Sequence, residues 1–282
     1  MVREGKATEF IELKPEIKSK FLEDSIFHDA GISEELDRRW WGAGQGENDL
    51  NVPIYMRGLI YYTDDYRPIW TAEMFESGLA ILSDTERDNE EISPTVYPNA
   101  SRDILRTISQ YTLSGKSVCT VGSISPWVET ILLYAGAKVD VIDYNPPVLQ
   151  DIRQANLHVV TTPTKKYDVI VSFSSIEHSG LGRYGDDIDP DADLATMDFF
   201  YDILKPDGLL FLAVPFGKAN RLEWNHHRIY GPERYNKLVK RFQVVNVFGN
   251  LDTNYLGKYF HGENNWQNQP VVVLRKKVIN LE

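Results

Sequence analysis

The sequence predicts an α/β protein: a mostly parallel sheet with helices on both faces, preceded by an N-terminal cap. Three observations carry this expectation. From Gly115 onward, short apolar runs alternate with helix-like stretches, the signature of successive strand–helix–strand units. The runs are almost continuously apolar, as strands buried on both faces must be. The last run follows an Asn/Gln-rich loop rather than a helix, so it can insert antiparallel and give a seven-stranded sheet whose final strand is reversed.

Taken in order, residues 1–104 differ from the rest and read as a cap or lid region. They hold charged helical patches at 15–23 and 33–41, a glycine-rich turn at 41–46, aromatics at Tyr55, Tyr61, Tyr62, Tyr66 and Trp70, and a polar stretch at 84–94. A helix is expected over 100–111, capped by Asn99 or Ser101. Residues 105–282 form the α/β domain. Its strands are expected at 117–121, 138–142, 158–161, 167–172, 208–214, 243–248 and 271–278. Its helices are expected at 127–135, 147–154, 193–204 and 231–240. Lys205-Pro206-Asp207-Gly208 reads as the turn that stops one helix and launches the next strand.

Composition narrows the function classes. The 282-residue chain is 42% hydrophobic, enough for a substantial core, and its net charge of −11 argues against broad nucleic-acid binding. The single cysteine, Cys119, sits inside an apolar run, where a buried inert thiol is expected and no intrachain disulfide can form. The opening MVREGKATEF carries no apolar leader, and no run approaches the length of a membrane span. These features read as a cytoplasmic protein away from the membrane. No metal is expected.

In an open α/β sheet, ligands collect at the carboxyl ends of the strands, beside the point where the strand order reverses. Four turns lie there, at 122–127, 143–145, 172–178 and 214–217. The first is Gly122-Ser123-Ile124-Ser125-Pro126-Trp127. Gly122 lets backbone approach a ligand, and the free N–H groups of the following helix point at it. The second begins at Asp143, roughly 20 residues further on, the separation at which an acid meets a ribose. The Gly-x-Gly-x-x-Gly fingerprint is missing, which argues against a nicotinamide cofactor, and no Gly-x-Ser-x-Gly elbow points to a hydrolase.

The third turn runs from an apolar strand into Ser174, Glu177 and His178, then through three glycines around Arg183 and Tyr184. His178 can act as a base or ligand contact near neutral pH, or it can be a buried residue that fixes the loop. Glu177 and His178, adjacent in an extended stretch, are expected to face opposite ways. The acid-rich run 186–193 can bind a cation, but it is a poor calcium loop; a solvated loop with Asp193 capping the next helix is the simpler expectation. A further cluster, Trp224-Asn225-His226-His227-Arg228, follows the strand at 208–214 and can reach the same cleft. One of its histidines can be a base; alternatively Arg228 and Tyr230 brace the next helix.

Four stretches carry a family resemblance: VGSISPWVE at 121–129, SFSSIEHSGLGRYGD at 172–186, LKPDGLLFLAVP at 204–215 and NHHRIYGP at 225–232. Together they resemble class I S-adenosylmethionine-dependent methyltransferases, and more specifically an uncharacterised methyltransferase-like family of unknown function, from about residue 53 to the C-terminus. The resemblance implies a Rossmann-like fold and S-adenosyl-L-methionine as cofactor. By it, Gly122 and Ser123 face the cofactor's amino-acid part, Asp143 its ribose, and Tyr144 and Asn145 its adenosine; Ile124 and Ser174 border the same site. Where the family has further glycines this chain has Ile124 and Pro126.

The resulting expectation is O-methyl transfer to a small hydroxylated acceptor such as a sugar or glycan. His178, His226 or His227 would be the base, and Glu177, Arg183, Tyr184, Trp224 and Arg228 would contact the acceptor. A homo-oligomer is compatible with this. The alternative is a methyltransferase-fold binding protein without catalysis, favoured by the altered glycine turn.

Overall fold

The computed structural model describes residues 14–29, 61–62, 67–85, 100–152, 154–224, 226–251 and 268–277. Their centre is a seven-stranded sheet. Its strands are β4 (Ser117–Val121), β5 (Lys138–Ile142), β7 (Leu157–Val159), β8 (Tyr167–Phe173), β9 (Leu204–Ala213), β12 (Phe242–Phe248) and β13 (Val271–Lys276). They lie in the order β12-β13-β9-β8-β4-β5-β7. β4, β5, β7, β8 and β9 are parallel, and β13 runs antiparallel to both of its neighbours. This is the doubly wound arrangement expected, with the reversed last strand. The order turns back at β4, so the tips of β4 and β8 flank the switch point.

Period-two alternation sends side chains to opposite faces. Val118, Val139, Val141, Val169 and Val171 enter one core with α2 (Ala72–Thr85), α3 (Ala100–Gln110) and α4 (Trp127–Tyr134). Cys119, Ile170, Leu210 and Leu212 enter the other, against α5 (Ala192–Ile203) and α6 (Pro232–Leu238). Trp70, in β3 (Pro68–Thr71), is fully buried in the first core. No helix among the described residues is long and apolar enough to cross a membrane.

Several expectations change. The segment 147–154 holds no helix among its described residues. Val148–Gln150 forms β6, which pairs in parallel with β3 (Ile69↔Val148) beside β2 (Tyr61–Tyr62). The partner strand lies far upstream, where local patterning does not see it. The Lys205–Gly208 turn is a bulge inside β9: Tyr167 pairs with Leu204, yet Val169 pairs with Leu209. The stretch around 221–229 forms a hairpin of β10 (Arg221–Trp224) and β11 (His227–Ile229). β10 also pairs in parallel with β1 (Ile26–Asp29), which follows α1 (Pro15–Phe21). The helical patch at 33–41, the turn at 41–46, Tyr55, Tyr66 and most of 84–94 lie outside the described residues.

Candidate active site at the tips of the parallel strands

β4 ends at Gly122, whose φ of +78° is open to glycine at little cost. A Cβ there would overlap the side chain of Ser175, which follows β8, so the two strand tips meet through this missing atom. The next residue turns its N–H to Asp143 Oδ2 (3.0 Å), and Asn145 N–H meets Asp143 Oδ1 (2.7 Å). The Asp143 carboxylate is thereby fixed at the tip of β5. Each of its oxygens accepts one N–H and keeps acceptor capacity for a hydroxyl. Burial pushes its pKa up to about 7, against the pull of the two N–H donors.

Ser123 also donates its hydroxyl to Glu129 Oε1 (2.7 Å), in the first turn of α4. The Ile124 carbonyl accepts the indole N–H of Trp70 (2.9 Å), which ties the turn to the upstream core. Tyr144 is exposed, and its hydroxyl reaches the Gly185 carbonyl (2.9 Å); Asn145 Nδ2 reaches the Tyr184 carbonyl (3.1 Å). The segment after β5 is thus joined to the glycine-rich loop after β8.

That loop begins with Ser174 at φ +47°, a conformation unusual for a residue with a Cβ and common at functional sites. Its hydroxyl donates to Glu177 Oε1 (2.7 Å) and accepts from Gln269 Nε2 (3.0 Å). Ile176–His178 form a single 3-10 turn rather than an extended stretch. Successive side chains there are rotated by roughly 120°, not 180°. Glu177 and His178 are therefore neighbours, with His178 Nε2 at 3.7 Å from Glu177 Oε1, contrary to the expectation that they diverge. Glu177 is wholly buried, and burial pushes its carboxyl up to about 7.

The structure brings the three histidines together. Ring centroids are 6.4 Å apart for His178–His226, 6.2 Å for His178–His227 and 4.2 Å for His226–His227. His178 Nδ1 lies 2.6 Å from the His226 carbonyl, so that nitrogen carries the proton and Nε2 presents its lone pair. Burial, helped by the Arg183 charge, holds His178 down to about 3. Burial likewise holds His226 and His227 below the ordinary histidine range. All three are neutral at physiological pH.

Arg183 is buried beside the Tyr184 ring, and that ring meets His178 edge-on (5.5 Å). The Tyr184 phenol is pushed up to about 12, chiefly by burial, with smaller contributions from Glu177 and Asp143. Two of the expected acceptor contacts belong to the scaffold instead. Trp224 is buried and packs on Phe21 at 5.6 Å. Arg228 is buried and donates to the carbonyls of Glu177 (3.4 Å), Asp189 (3.4 Å) and Pro190 (3.2 Å), so it clamps the loop from beneath. Asp193 is not the cap of α5. The cap position is Asp191, and Asp193 is fully buried, accepting from Arg234 Nη2 (2.6 Å) and the Tyr230 hydroxyl (3.0 Å). Asp186 accepts the Gly180 N–H (2.6 Å) and the Tyr184 N–H (3.2 Å), which staples the glycine loop.

Residues 115–277, more than half of the chain, match the family described as "Caenorhabditis protein of unknown function, DUF268". The chain belongs to this family. No functionally curated protein matches it. Among solved structures, the DUF268 chain is similar to the 1,6-didemethyltoxoflavin-N1-methyltransferase of Burkholderia thailandensis, crystallised with S-adenosylhomocysteine. That similarity has 15% identity over 73% of this chain and 89% of the other, with a TM-score of 0.46. It is also similar to the N-methyltransferase NodS of Bradyrhizobium japonicum, at 12% identity over 73% and 99% of the two chains, TM-score 0.43. A Clostridium acetobutylicum S-adenosylmethionine-dependent methyltransferase gives 12% identity over 71% and 100%, TM-score 0.43.

Three residues of the DUF268 site escape sequence reasoning: Trp70, Glu129 and Gln269. Trp70 and Gln269 reach the site from far along the chain, which no local pattern records. Glu129 had a signal. An acid in the first turn of a helix that follows a serine-containing turn is the pattern of a side chain reaching back.

Proposed function

We propose that this protein is an S-adenosylmethionine-dependent methyltransferase that methylates a hydroxyl oxygen of a small acceptor such as a sugar or glycan. The observation that carries this is the coupled pair at the switch point: Gly122 in the left-handed region at the tip of β4, and Asp143 at the tip of β5, joined through the Ser123 N–H. Asp143 suits a ribose diol because its oxygens retain acceptor capacity. The turn at 122–124 suits the amino-acid end, and Tyr144 and Asn145 flank the adenosine side.

The bound cofactor supplies an electrophilic methyl group on a sulfonium. The chain's own task is to hold an acceptor oxygen in line and remove its proton, and alignment provides much of the acceleration. Neutral histidines after β8 and at the β10–β11 turn favour an oxygen acceptor, whose proton needs a base. His178 Nε2 is the nitrogen whose lone pair is free of the loop's own hydrogen bond. Tyr184 joins the two sides of the site: its ring meets His178 at 5.5 Å and its carbonyl accepts from Asn145 Nδ2.

A second reading, a binding protein of this fold without methyl transfer, is favoured by the burial of His227, Trp224 and Arg228. Calorimetry with S-adenosylmethionine separates the two from a third possibility. Binding together with transfer of labelled methyl to a panel of hydroxylated acceptors supports the enzyme. Binding without transfer supports the silent protein. No heat and no thermal shift at millimolar cofactor rejects the cofactor assignment.

A further inference from the structure

Glu129 is a buried acid to which the assignments above give no task. It stands in the first turn of α4, just beyond the glycine turn. Side chains of a helix lean toward its N-terminus, so Glu129 reaches back over residues 122–126. Its side chain is wholly buried, and Oε1 accepts the Ser123 hydroxyl (2.7 Å). Oε2 makes no hydrogen bond among the described residues; the Thr120 hydroxyl is near enough to favour the charged form without making a bond of good geometry. A buried carboxyl oxygen lacking a donor is costly, and either a proton or a cationic ligand relieves it.

Ser123 gives this acid its setting. The same residue that donates its hydroxyl to Glu129 donates its N–H to Asp143. Two carboxyls therefore flank one residue of the turn, one at the tip of β5 and one on the helix after β4. An S-adenosyl amino acid carries two groups that match them: a ribose diol in its middle and an α-ammonium at its far end. Asp143 stands just past β5 and Glu129 on the helix that follows β4, and Ser123 bonds to both.

We propose that Glu129 binds the α-ammonium of the cofactor's amino-acid portion and so sets the preference for a full S-adenosyl amino acid over a truncated nucleoside, an inference that rests on the cofactor assignment above. No covalent bond changes. Burial raises the free Glu129 carboxyl above its ordinary range, which favours its neutral form. On binding it ionises, gives its proton to solvent and forms a charge-assisted hydrogen bond, while Ser123 continues to donate to Oε1.

The test compares S-adenosylhomocysteine with 5′-methylthioadenosine, which keeps the adenosine and thioether but lacks the amino acid. In wild type, S-adenosylhomocysteine should bind more tightly. In Glu129→Gln that advantage should shrink by about 10–100-fold, the loss expected for one hydrogen bond to a charged group, with 5′-methylthioadenosine unchanged. An undiminished advantage in the variant overturns the assignment of Glu129 and leaves the cofactor assignment standing. Wild type binding neither compound overturns both.

If the variant does not fold, the wild type still decides. Calorimetry in two buffers of different ionisation enthalpy gives the protons released by each ligand. The titratable groups that face Glu129 are Asp143 and Cys119. Asp143 meets the same ribose in both ligands, and the buried thiol of Cys119 stays protonated. Greater release with S-adenosylhomocysteine supports Glu129; equal release overturns it.

Discussion

Replacing Asp143 by alanine isolates the ribose contact. The carboxylate accepts two backbone N–H groups, Ser123 at 3.0 Å and Asn145 at 2.7 Å, and has capacity left for a diol. Losing hydrogen bonds to a charged acceptor costs roughly 1.5–3 kcal/mol, or about 10–150-fold in Kd. The two amides also lose their partner, which loosens the turn and adds to the loss. Asp143→Asn keeps one oxygen to accept an N–H but no charge, so its Kd should lie between those of wild type and the alanine variant. Calorimetry with S-adenosylhomocysteine measures both, with a thermal melt confirming that each variant is folded. The pH dependence is a second arm. The folded carboxyl is raised to about 7 from an ordinary 3.8, and ribose hydroxyls favour the ionised form. Affinity for 5′-methylthioadenosine, which has no amino-acid group to engage Glu129, should therefore weaken as pH falls below about 7, and this slope should vanish in Asp143→Asn. A folded alanine variant with wild-type affinity would refute the ribose assignment.

Other perturbations have calculable outcomes. Gly122→Ala forces a Cβ into the left-handed region and against Ser175, so it should cost at least about 1–2 kcal/mol in a denaturant melt; adding Ser175→Gly should recover the overlap but not the backbone strain. Asp193→Ala leaves Arg234 and Arg228 facing each other without the acid between them. A loss of roughly 3–5 kcal/mol in global stability is expected, and a melt within 1 kcal/mol of wild type would show the network to be dispensable. His178 is lowered to about 3 from 6.5, so the folded state disfavours its protonation. Its contribution is whole above pH 6.5 and is lost as pH falls toward about 3; a melt series of His178→Gln should show a shallower acid decline than wild type.

The strand runs could be read from sequence because a parallel strand covered on both faces must be apolar along its length. β4 and β5 fall at the residues expected, as do the approximate places of β8, β9, β12 and β13. The turn at Gly122 and the acid at Asp143 were legible for a related reason: a tight turn after a strand favours glycine, and an acid ending an apolar run stands out. The errors share a different cause. Residues 148–150 form a strand only because β3 lies alongside. Glu177 and His178 converge because their backbone winds into a 3-10 turn. Trp224 and Arg228, polar or aromatic residues beside two histidines, invited a role in binding, and only their burial against Phe21 and the loop carbonyls reassigns them.

The sequence by itself determined the doubly wound α/β class, the reversed final strand and the two turns, at Gly122 and Asp143, on which the proposed cofactor site rests, since each follows from local apolarity and backbone freedom. Tertiary structure decided which charged and aromatic groups share a site and which hold the scaffold. Glu129 meets Ser123 beside Asp143, Trp70 anchors the turn, and three histidines cluster as neutral rings. The physical reason is that burial and hydrogen bonding between distant segments set the charge and reach of a side chain, and neither quantity is written in its immediate neighbours.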